Sequence, residues 1–85
     1  GLPDDAGYRK LIDRYLGSAR LDPNLEIDMV IDRVRDLTPA DLEATIQGMK
    51  RLAMRRLTDL HTELPPLSLE DLEHAMSRVR PRCRV

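Results

Sequence analysis

The sequence contains no phenylalanine and no tryptophan, and its two aromatic residues are Tyr8 and Tyr15. A hydrophobic core must therefore be built from leucine, isoleucine, valine, methionine and alanine. Cys83 is the single cysteine, so the chain can form neither an internal disulfide nor, by itself, a thiolate metal cluster. No apolar run is long enough to cross a membrane, and the chain does not open with the pattern of a signal peptide.

Length and charge narrow the class of protein further. The 85 residues are enough for one small domain with one modest core. Charged residues make up 34% of the chain, yet the net charge is only −1. This balance argues against a general binder of nucleic acid or acidic membranes. Residue 1 is glycine rather than methionine, so we expect the sequence to be a piece of a longer protein.

The clearest predicted helix covers residues 39–62. Thr38 is a good N-cap, and Pro39 occupies the first helical position, where its missing N–H costs nothing. Gly48 inside the helix costs about 1 kcal/mol relative to alanine, which hints that another backbone approaches closely there. One face of the helix is apolar because hydrophobic residues recur every three or four positions: Leu42, Ile46, Met49, Ala53, Leu57 and Leu60.

Three further helices are predicted near residues 5–17, 25–36 and 69–80. Gly17 is expected to end the first, Asp22 or Asn24 to cap the second, and Ser68 to cap the fourth. The second segment is rich in β-branched residues that also suit a strand, but its apolar period favours a helix. The inward-facing residues are Tyr8, Leu11, Ile12, Tyr15 and Leu16, then Ile27, Val30, Ile31 and Val34, then Leu72, Ala75, Met76 and Val79. The sequence thus predicts a small all-α four-helix bundle without a sheet.

Four short motifs follow one another along the chain. They are Leu2-Pro3-Asp4; Asn24-Leu25-Glu26-Ile27; Leu37-Thr38-Pro39-Ala40-Asp41-Leu42 with Ala53-Met54-Arg55; and the segment from Leu69 through Val79, which Pro81 follows. Their order and spacing resemble the C-terminal helical lid subdomain of AAA ATPases. The chain departs from that family at three positions: Tyr8 stands where the family has arginine, and Asp36 and Pro39 stand where it usually has glycine.

The resemblance implies both an organisation and a function. Residues 1–80 would form the lid and residues 81–85 a basic C-terminal tail. The lid would cover the adenine side of bound ATP and couple the nucleotide state to a hexameric ring that remodels or unfolds proteins. The resemblance also implies that Leu11, Tyr15, Pro39 and Ala40 face the base and ribose.

The implied partners follow from the same family. They are ATP, with Mg²⁺ held by a large α/β subdomain outside this sequence; that subdomain itself; neighbouring subunits of a homo-hexamer; and the protein substrate of the ring. No contact with nucleic acid or membrane is expected, and the implied location is cytoplasmic.

The chain carries no catalytic machinery of its own. It has no glycine-rich phosphate loop and no paired acids placed to hold Mg²⁺, so we predict no ATP hydrolysis by the isolated chain, no catalytic residue and no metal ligand. Whether an enzyme is involved depends on the longer parent protein. His61 and His74 lack a cluster of further ligands, and surface or packing positions explain them.

Alternatives remain open for several residues. Leu11 and Tyr15 suit the core as well as a nucleotide face. Lys50-Arg51 and Arg55-Arg56 form a basic ridge that is either a solvated surface or a contact with an acidic neighbouring subunit. The rival to the lid hypothesis is an autonomous four-helix protein-interaction module that does not bind nucleotide.

Overall fold

The computed structural model describes residues 1–57 and 63–79, and these residues form four α-helices and no strand. The helices are α1 (Asp5–Leu16), α2 (Ile27–Val34), α3 (Pro39–Met54) and α4 (Leu69–Val79). The long helix α3 packs against α4 on one side and α1 on another, and α1 packs on α2. The all-helical prediction is confirmed for this part of the chain.

Side-chain caps define where the helices start, as the sequence predicted for α3 and α4. The Thr38 hydroxyl accepts a hydrogen bond from the Asp41 N–H at 3.1 Å, and Pro39 opens α3. At α4, Ser68 Oγ accepts from the Asp71 N–H at 3.2 Å while Asp71 Oδ2 accepts from the Ser68 N–H at 3.0 Å. This reciprocal pair is a capping box, which satisfies two N–H groups at the start of the helix.

The first helix has a cap at each end. Asp4 Oδ1 accepts a hydrogen bond from the Gly7 N–H at 2.8 Å, a cap that the sequence analysis did not assign. Gly17 ends the helix with a φ of 59°, a left-handed conformation that glycine adopts easily. The predicted stop at Gly17 is therefore confirmed.

The second helix is shorter than predicted, and neither of its expected caps stands at its start. It spans Ile27–Val34 rather than residues 25–36, and the side chain of its N-cap residue Glu26 makes no capping bond. Asp22 Oδ1 accepts from the Asn24 N–H at 2.8 Å, so Asp22 stabilises a turn before the helix. Assigning Asp22 or Asn24 as the helix cap was wrong.

The turn at Asp22 also holds two loop segments together. The Asp22 N–H donates to the Leu67 carbonyl, and the Leu67 N–H donates to the Arg20 carbonyl, both at 2.8 Å. These bonds form a single parallel bridge between Leu21 and Leu67. The segments leading into α2 and α4 are therefore tied side by side, and Leu67 is completely buried.

Asp36, two residues after the end of the second helix, has an unusual backbone conformation. Its φ of 85° lies in the left-handed region, where a side chain other than that of glycine is disfavoured and aspartate and asparagine are tolerated best. Leu37 then turns inward, with its N–H bonded to the Val34 carbonyl at 2.9 Å and its side chain buried. The reversal at Asp36 sets the start of α3 one turn after the end of α2.

The third helix ends at Met54, well before the predicted end at residue 62. After Ala53 the backbone tightens: the Arg56 N–H bonds to the Ala53 carbonyl at 3.0 Å and the Leu57 N–H to the Met54 carbonyl at 3.1 Å. Leu57 is half-buried and not helical, and Leu60 and His61 lie outside the described residues. The end of the fourth helix is Val79, and residues 80–85, including Cys83, also lie outside them.

The core is aliphatic, as the shortage of aromatic residues requires. In α3 it consists of Leu42, Ile46, Met49 and Ala53, all of which are at most 1% exposed. The predicted inward faces of α2 and α4 are buried apart from Ile27, which is half-buried. Close packing explains Gly48: a Cβ there would lie 3.3 Å from the Cβ of Ala75 and 4.0 Å from its Cα. The structure therefore shows the close approach of another helix, α4, that Gly48 suggested.

Asp71 is the one buried carboxylate among the described residues, with 5% of its surface exposed. Burial by itself raises its pKa, but hydrogen bonds from Arg56 at 2.7 Å and from Ser68 outweigh this effect, and the pKa of Asp71 lies below its usual value. Arg56 also donates to the Pro66 carbonyl at 3.0 Å. The pair thus fastens the end of α3 to the start of α4.

The left-handed residue at position 36 gives a stability prediction. Replacing Asp36 by glycine should raise the free energy of unfolding by about 0.5–1 kcal/mol, because glycine adopts positive φ without steric cost. The matched control is Asp13→Gly inside α1, which should lower it by up to about 1 kcal/mol. Urea unfolding measures both; a loss of stability in Asp36→Gly would contradict the assigned backbone.

The buried carboxylate gives a pH prediction. Because folding lowers the pKa of Asp71 below about 3.9, its contribution is complete above that unfolded-state value and is lost as the pH falls through the folded-state pKa. Asp71→Asn should therefore lower the free energy of unfolding at neutral pH by about 1–2 kcal/mol, a modest figure because Arg56 is largely solvated.

The same variant should lose less stability than the parent chain when the pH is lowered from about 5 to about 3. Urea unfolding at several pH values gives both curves. If the curves stay parallel over this range, Asp71 does not titrate as its environment requires.

Candidate functional site

Two hydrogen bonds fix α1 against α3. The Tyr8 hydroxyl, in a side chain only 2% exposed, donates to the Leu37 carbonyl at 2.9 Å, just before α3 begins. At the other end, Lys50 Nζ donates to the Tyr15 carbonyl at 2.7 Å. This carbonyl belongs to the last turn of α1, which lacks helical partners and attracts positive charge. The start of α1 thus lies beside the start of α3, and the end of α1 lies beside Lys50.

The predicted nucleotide-facing residues of α1 lie at the edge of the core. Leu11 and Tyr15 are half-buried and pack against the buried cluster, whereas their neighbours Ile12 and Leu16 are buried. Each of the two therefore contributes to packing and keeps part of its side chain accessible. This position is compatible with both interpretations that the sequence left open.

The predicted residues of α3 are fully on the surface. Pro39 and Ala40 are exposed in the first turn of α3, while Leu42 two residues later is buried. Ala40 presents a single methyl group, and Pro39 has no N–H to donate. Pro39 and Ala40 therefore form a small, apolar part of the first turn of α3, which also carries the half-buried Asp41.

The structure brings only some of the four predicted nucleotide-facing residues close together. Leu11 lies less than one helical turn from Tyr8, and Ala40 lies three residues after Leu37, so the Tyr8 bond brings Leu11 and the first turn of α3 to the same end of the helix pair. The backbone of Tyr15 lies beside Lys50, ten residues or roughly 15 Å along α3 from Ala40. Tyr15 can join the others only through its side chain.

Three of the cavities that described residues line contain none of the four predicted residues. One, of about 510 Å³, lies at the end of α1 between residues 16–20, Lys50, Glu63 and Leu64. A second, of about 360 Å³, lies between the two loop segments joined at Leu21 and Leu67. The third, of about 60 Å³, is a groove between α3 and α4.

The predicted basic ridge is divided in the structure. Lys50 and Arg56 point to partners in the chain, Lys50 to the Tyr15 carbonyl and Arg56 to Asp71 and the Pro66 carbonyl. Arg51 and Arg55 remain exposed beside the groove between α3 and α4. Sequence reasoning did not separate these roles, because the partner of Lys50 is a backbone carbonyl, which leaves no trace in residue identity.

The described part of the chain offers no metal centre, since no three of its histidine, cysteine, aspartate and glutamate side chains lie close enough to share an ion. Ser18 lines the cavity of about 510 Å³, and no histidine is found among the described residues that line it. Among the described helices, none has the length and apolar character needed to span a membrane.

Comparison with known proteins gives no assignment: no protein-family model and no curated protein matches this chain.

Proposed function

We propose that this chain is the C-terminal lid subdomain of an AAA ATPase. In this role it covers the adenine side of ATP, while Mg²⁺ and the phosphates are held by a large α/β subdomain of the same parent protein. Through that subdomain and the neighbouring subunits of a cytoplasmic homo-hexamer, it couples nucleotide state to the remodelling or unfolding of a protein substrate.

The observation that carries the proposal is the backbone at Asp36. The resemblance places glycine at this position, and Asp36 has a φ of 85°, in the region that favours glycine. The glycine preference comes from the sequence pattern of the family, whereas the left-handed backbone comes from the structure. Their coincidence supports alignment of the segment from Asp36 to Leu42 with the start of the long lid helix.

The chemistry of the surface suits the base end of a nucleotide. Ala40 is small and exposed, so an adenine or ribose can approach the backbone of α3, and the accessible parts of Leu11 and Tyr15 offer apolar surface for a ring. ATP supplies the phosphoryl chemistry when it is bound by the parent protein. The role of this chain is to exclude water from the base and to position the base by contact.

The internal bonds of the lid give a route for coupling. Because the Tyr8–Leu37 and Lys50–Tyr15 bonds hold α1 to α3, and the Arg56–Asp71 pair holds α3 to α4, the helices move together. A shift imposed at the first turn of α3 would therefore be transmitted to α4 as a rigid-body movement. This is how a small domain without catalytic residues can relay the state of a nucleotide.

The alternative is an autonomous four-helix interaction module. The core of the chain and the side-chain caps of α3 and α4 would serve such a module equally well. The coding sequence upstream of Gly1 discriminates the two functions. About 200 residues with a phosphate-binding loop support the lid, as that is a typical domain length, whereas a start codon adjacent to Gly1 supports the module.

The isolated chain should be inactive. We expect no ATP turnover and only weak nucleotide affinity from the purified 85 residues, because the phosphate-binding and metal-binding groups that stabilise phosphoryl transfer are supplied by the large subdomain. Release of phosphate from ATP is the measurement. Turnover that co-purifies with the chain and survives a control for contaminating ATPases would overturn the assignment.

The nucleotide face can be tested in the parent protein by obstruction. Ala40→Arg should raise the dissociation constant for ATP by about tenfold or more, because the long side chain occupies the space above the first turn of α3. The matched control is Met54→Arg, which places the same side chain at a position that is 59% exposed, roughly 21 Å along the same helix. Calorimetric titration with a slowly hydrolysed ATP analogue measures both.

Tyr15 provides the second arm of this test. Tyr15→Ala should raise the dissociation constant about three- to tenfold through loss of ring contact, and Tyr15→Phe, which keeps the ring, should leave it nearly unchanged. Urea unfolding separates this effect from a loss of lid stability. If Ala40→Arg and Tyr15→Ala both bind the analogue as the parent protein does, this surface is not the nucleotide face.

A further inference from the structure

The groove between α3 and α4 is surrounded by positive and titratable groups. Arg51 and Arg55 come from α3, His74 and Arg78 from α4, and all four side chains are exposed. We call these four residues and the small groove between them, of about 60 Å³, the basic groove. Among the residues that the structure describes, its lining contains no acidic residue. Two helices therefore contribute cations to one place without a neutralising carboxylate among the lining residues.

The three arginines of this groove differ from most other described arginines, and they also come from two different elements, unlike the unpaired Lys10 and Arg14 of α1. Ion pairs with aspartate or glutamate are formed by Arg9, Arg20, Arg33, Arg35 and Arg56. Within residues 1–57 and 63–79, Arg51, Arg55 and Arg78 form no such pair, although the whole chain contains 15 acidic residues and 14 basic ones. Arg51 in the last turn of α3 and Arg55 at its C-cap are also four residues apart, a spacing at which like charges repel.

Helix ends explain part of this pattern but not all of it. Arg51 lies in the last turn of α3 and Arg78 in the last turn of α4, where a positive charge is favourable. That effect is confined to each helix and does not require arginines of two helices to share a groove. Arg51 and the C-cap residue Arg55 both lie at the C-terminal end of α3, where the helix dipole offsets the repulsion between them but supplies no carboxylate partner. An acidic ligand would relieve the repulsion between the arginines and would contact cations from both helices.

The shape of the groove indicates how a ligand would bind. Gly48 has no side chain, and the buried Ala75 faces it, so the two helices approach closely beneath the arginines. One terminal nitrogen of Arg51 lies 3.6 Å from the position that a Gly48 Cβ would occupy, which places the guanidinium over this glycine. The cavity is too small for a nucleotide base, and separate carboxylates reaching individual guanidinium groups from outside fit it better.

We propose that the basic groove binds an acidic peptide segment of a partner protein. The net charge of −1 limits attraction of a long polyanion from a distance, whereas a short run of glutamates or aspartates interacts with the local charges alone. This inference does not depend on the proposed nucleotide role, because the groove shares no residue with the surface formed by Leu11, Tyr15, Pro39 and Ala40.

The test is fluorescence anisotropy with a labelled peptide of alternating glutamate and glycine and the 85-residue chain. The peptide should bind, and binding should weaken strongly between about 0.01 and about 0.15 M salt, as the screening length falls from about 30 Å to about 8 Å. Arg51→Glu combined with Arg55→Glu should raise the dissociation constant at least about tenfold, because attraction becomes repulsion at two positions. Absence of peptide binding at low salt would overturn the proposal.

The matched control is Lys10→Glu combined with Arg14→Glu. These two exposed cations also lie four residues apart on a helix, so the control changes the net charge and the helix spacing equally. It should leave the dissociation constant within about twofold of that of the parent chain. If the control weakens binding as much as the groove variant does, the peptide responds to overall charge and the groove is not its site.

Two further arms complete the test. Arg51→Gln combined with Arg55→Gln removes the charges without adding repulsion and should cause a smaller loss of peptide affinity than the glutamate variant. This variant keeps the test valid if circular dichroism shows that the glutamate variant is unfolded. A single-stranded oligonucleotide and vesicles containing phosphatidylserine are measured in parallel. Tighter binding of either one than of the peptide, with the same dependence on Arg51 and Arg55, would replace the acidic peptide as the occupant.

Discussion

The fold depends on the apolar face of α3, because this helix packs against both α1 and α4. Without phenylalanine or tryptophan, its contribution comes from Leu42, Ile46, Met49 and Ala53, which leave almost no surface exposed. Small aliphatic side chains fill a core only when helices approach closely, and Gly48 against Ala75 is the place where α3 and α4 do so. Polar interactions then fix how the other helices lie on this face.

Three such interactions act at helix ends, where backbone groups lack helical partners. Tyr8 bonds to the carbonyl before α3, Lys50 bonds to a carbonyl in the last turn of α1, and Arg56 bonds to Asp71 at the start of α4. Each one supplies charge or a donor to a terminus and at the same time joins two helices. The bundle is thereby fixed at both ends of α1 and at the contact between α3 and α4, which a relay of nucleotide state requires.

Much of this architecture could be predicted from local chemistry, and the rest depended on contacts between distant residues. The caps at Thr38 and Ser68 and the stop at Gly17 were readable, because they involve residues no more than a few positions apart. The end of α3 at Met54 could not be predicted, because the apolar period of the sequence continues to Leu57 and Leu60 and the contact of Arg56 with Asp71, fifteen residues away, leaves no local signal. The candidate site could be predicted only from the family resemblance. The basic groove could not be predicted, because it is formed by the packing of two helices that are distant in sequence.

The central claim is that the exposed first turn of α3 and the accessible face of α1 contact a nucleotide base. Photolabelling of the parent protein with an azido-adenine analogue of ATP, followed by tryptic peptide mapping, tests it most directly. The account predicts label in the peptide of residues 36–50, which contains Pro39 and Ala40, and in those of residues 11–14 and 15–20, which contain Leu11 and Tyr15. Nucleotide-protected labelling that spares all three peptides would contradict it.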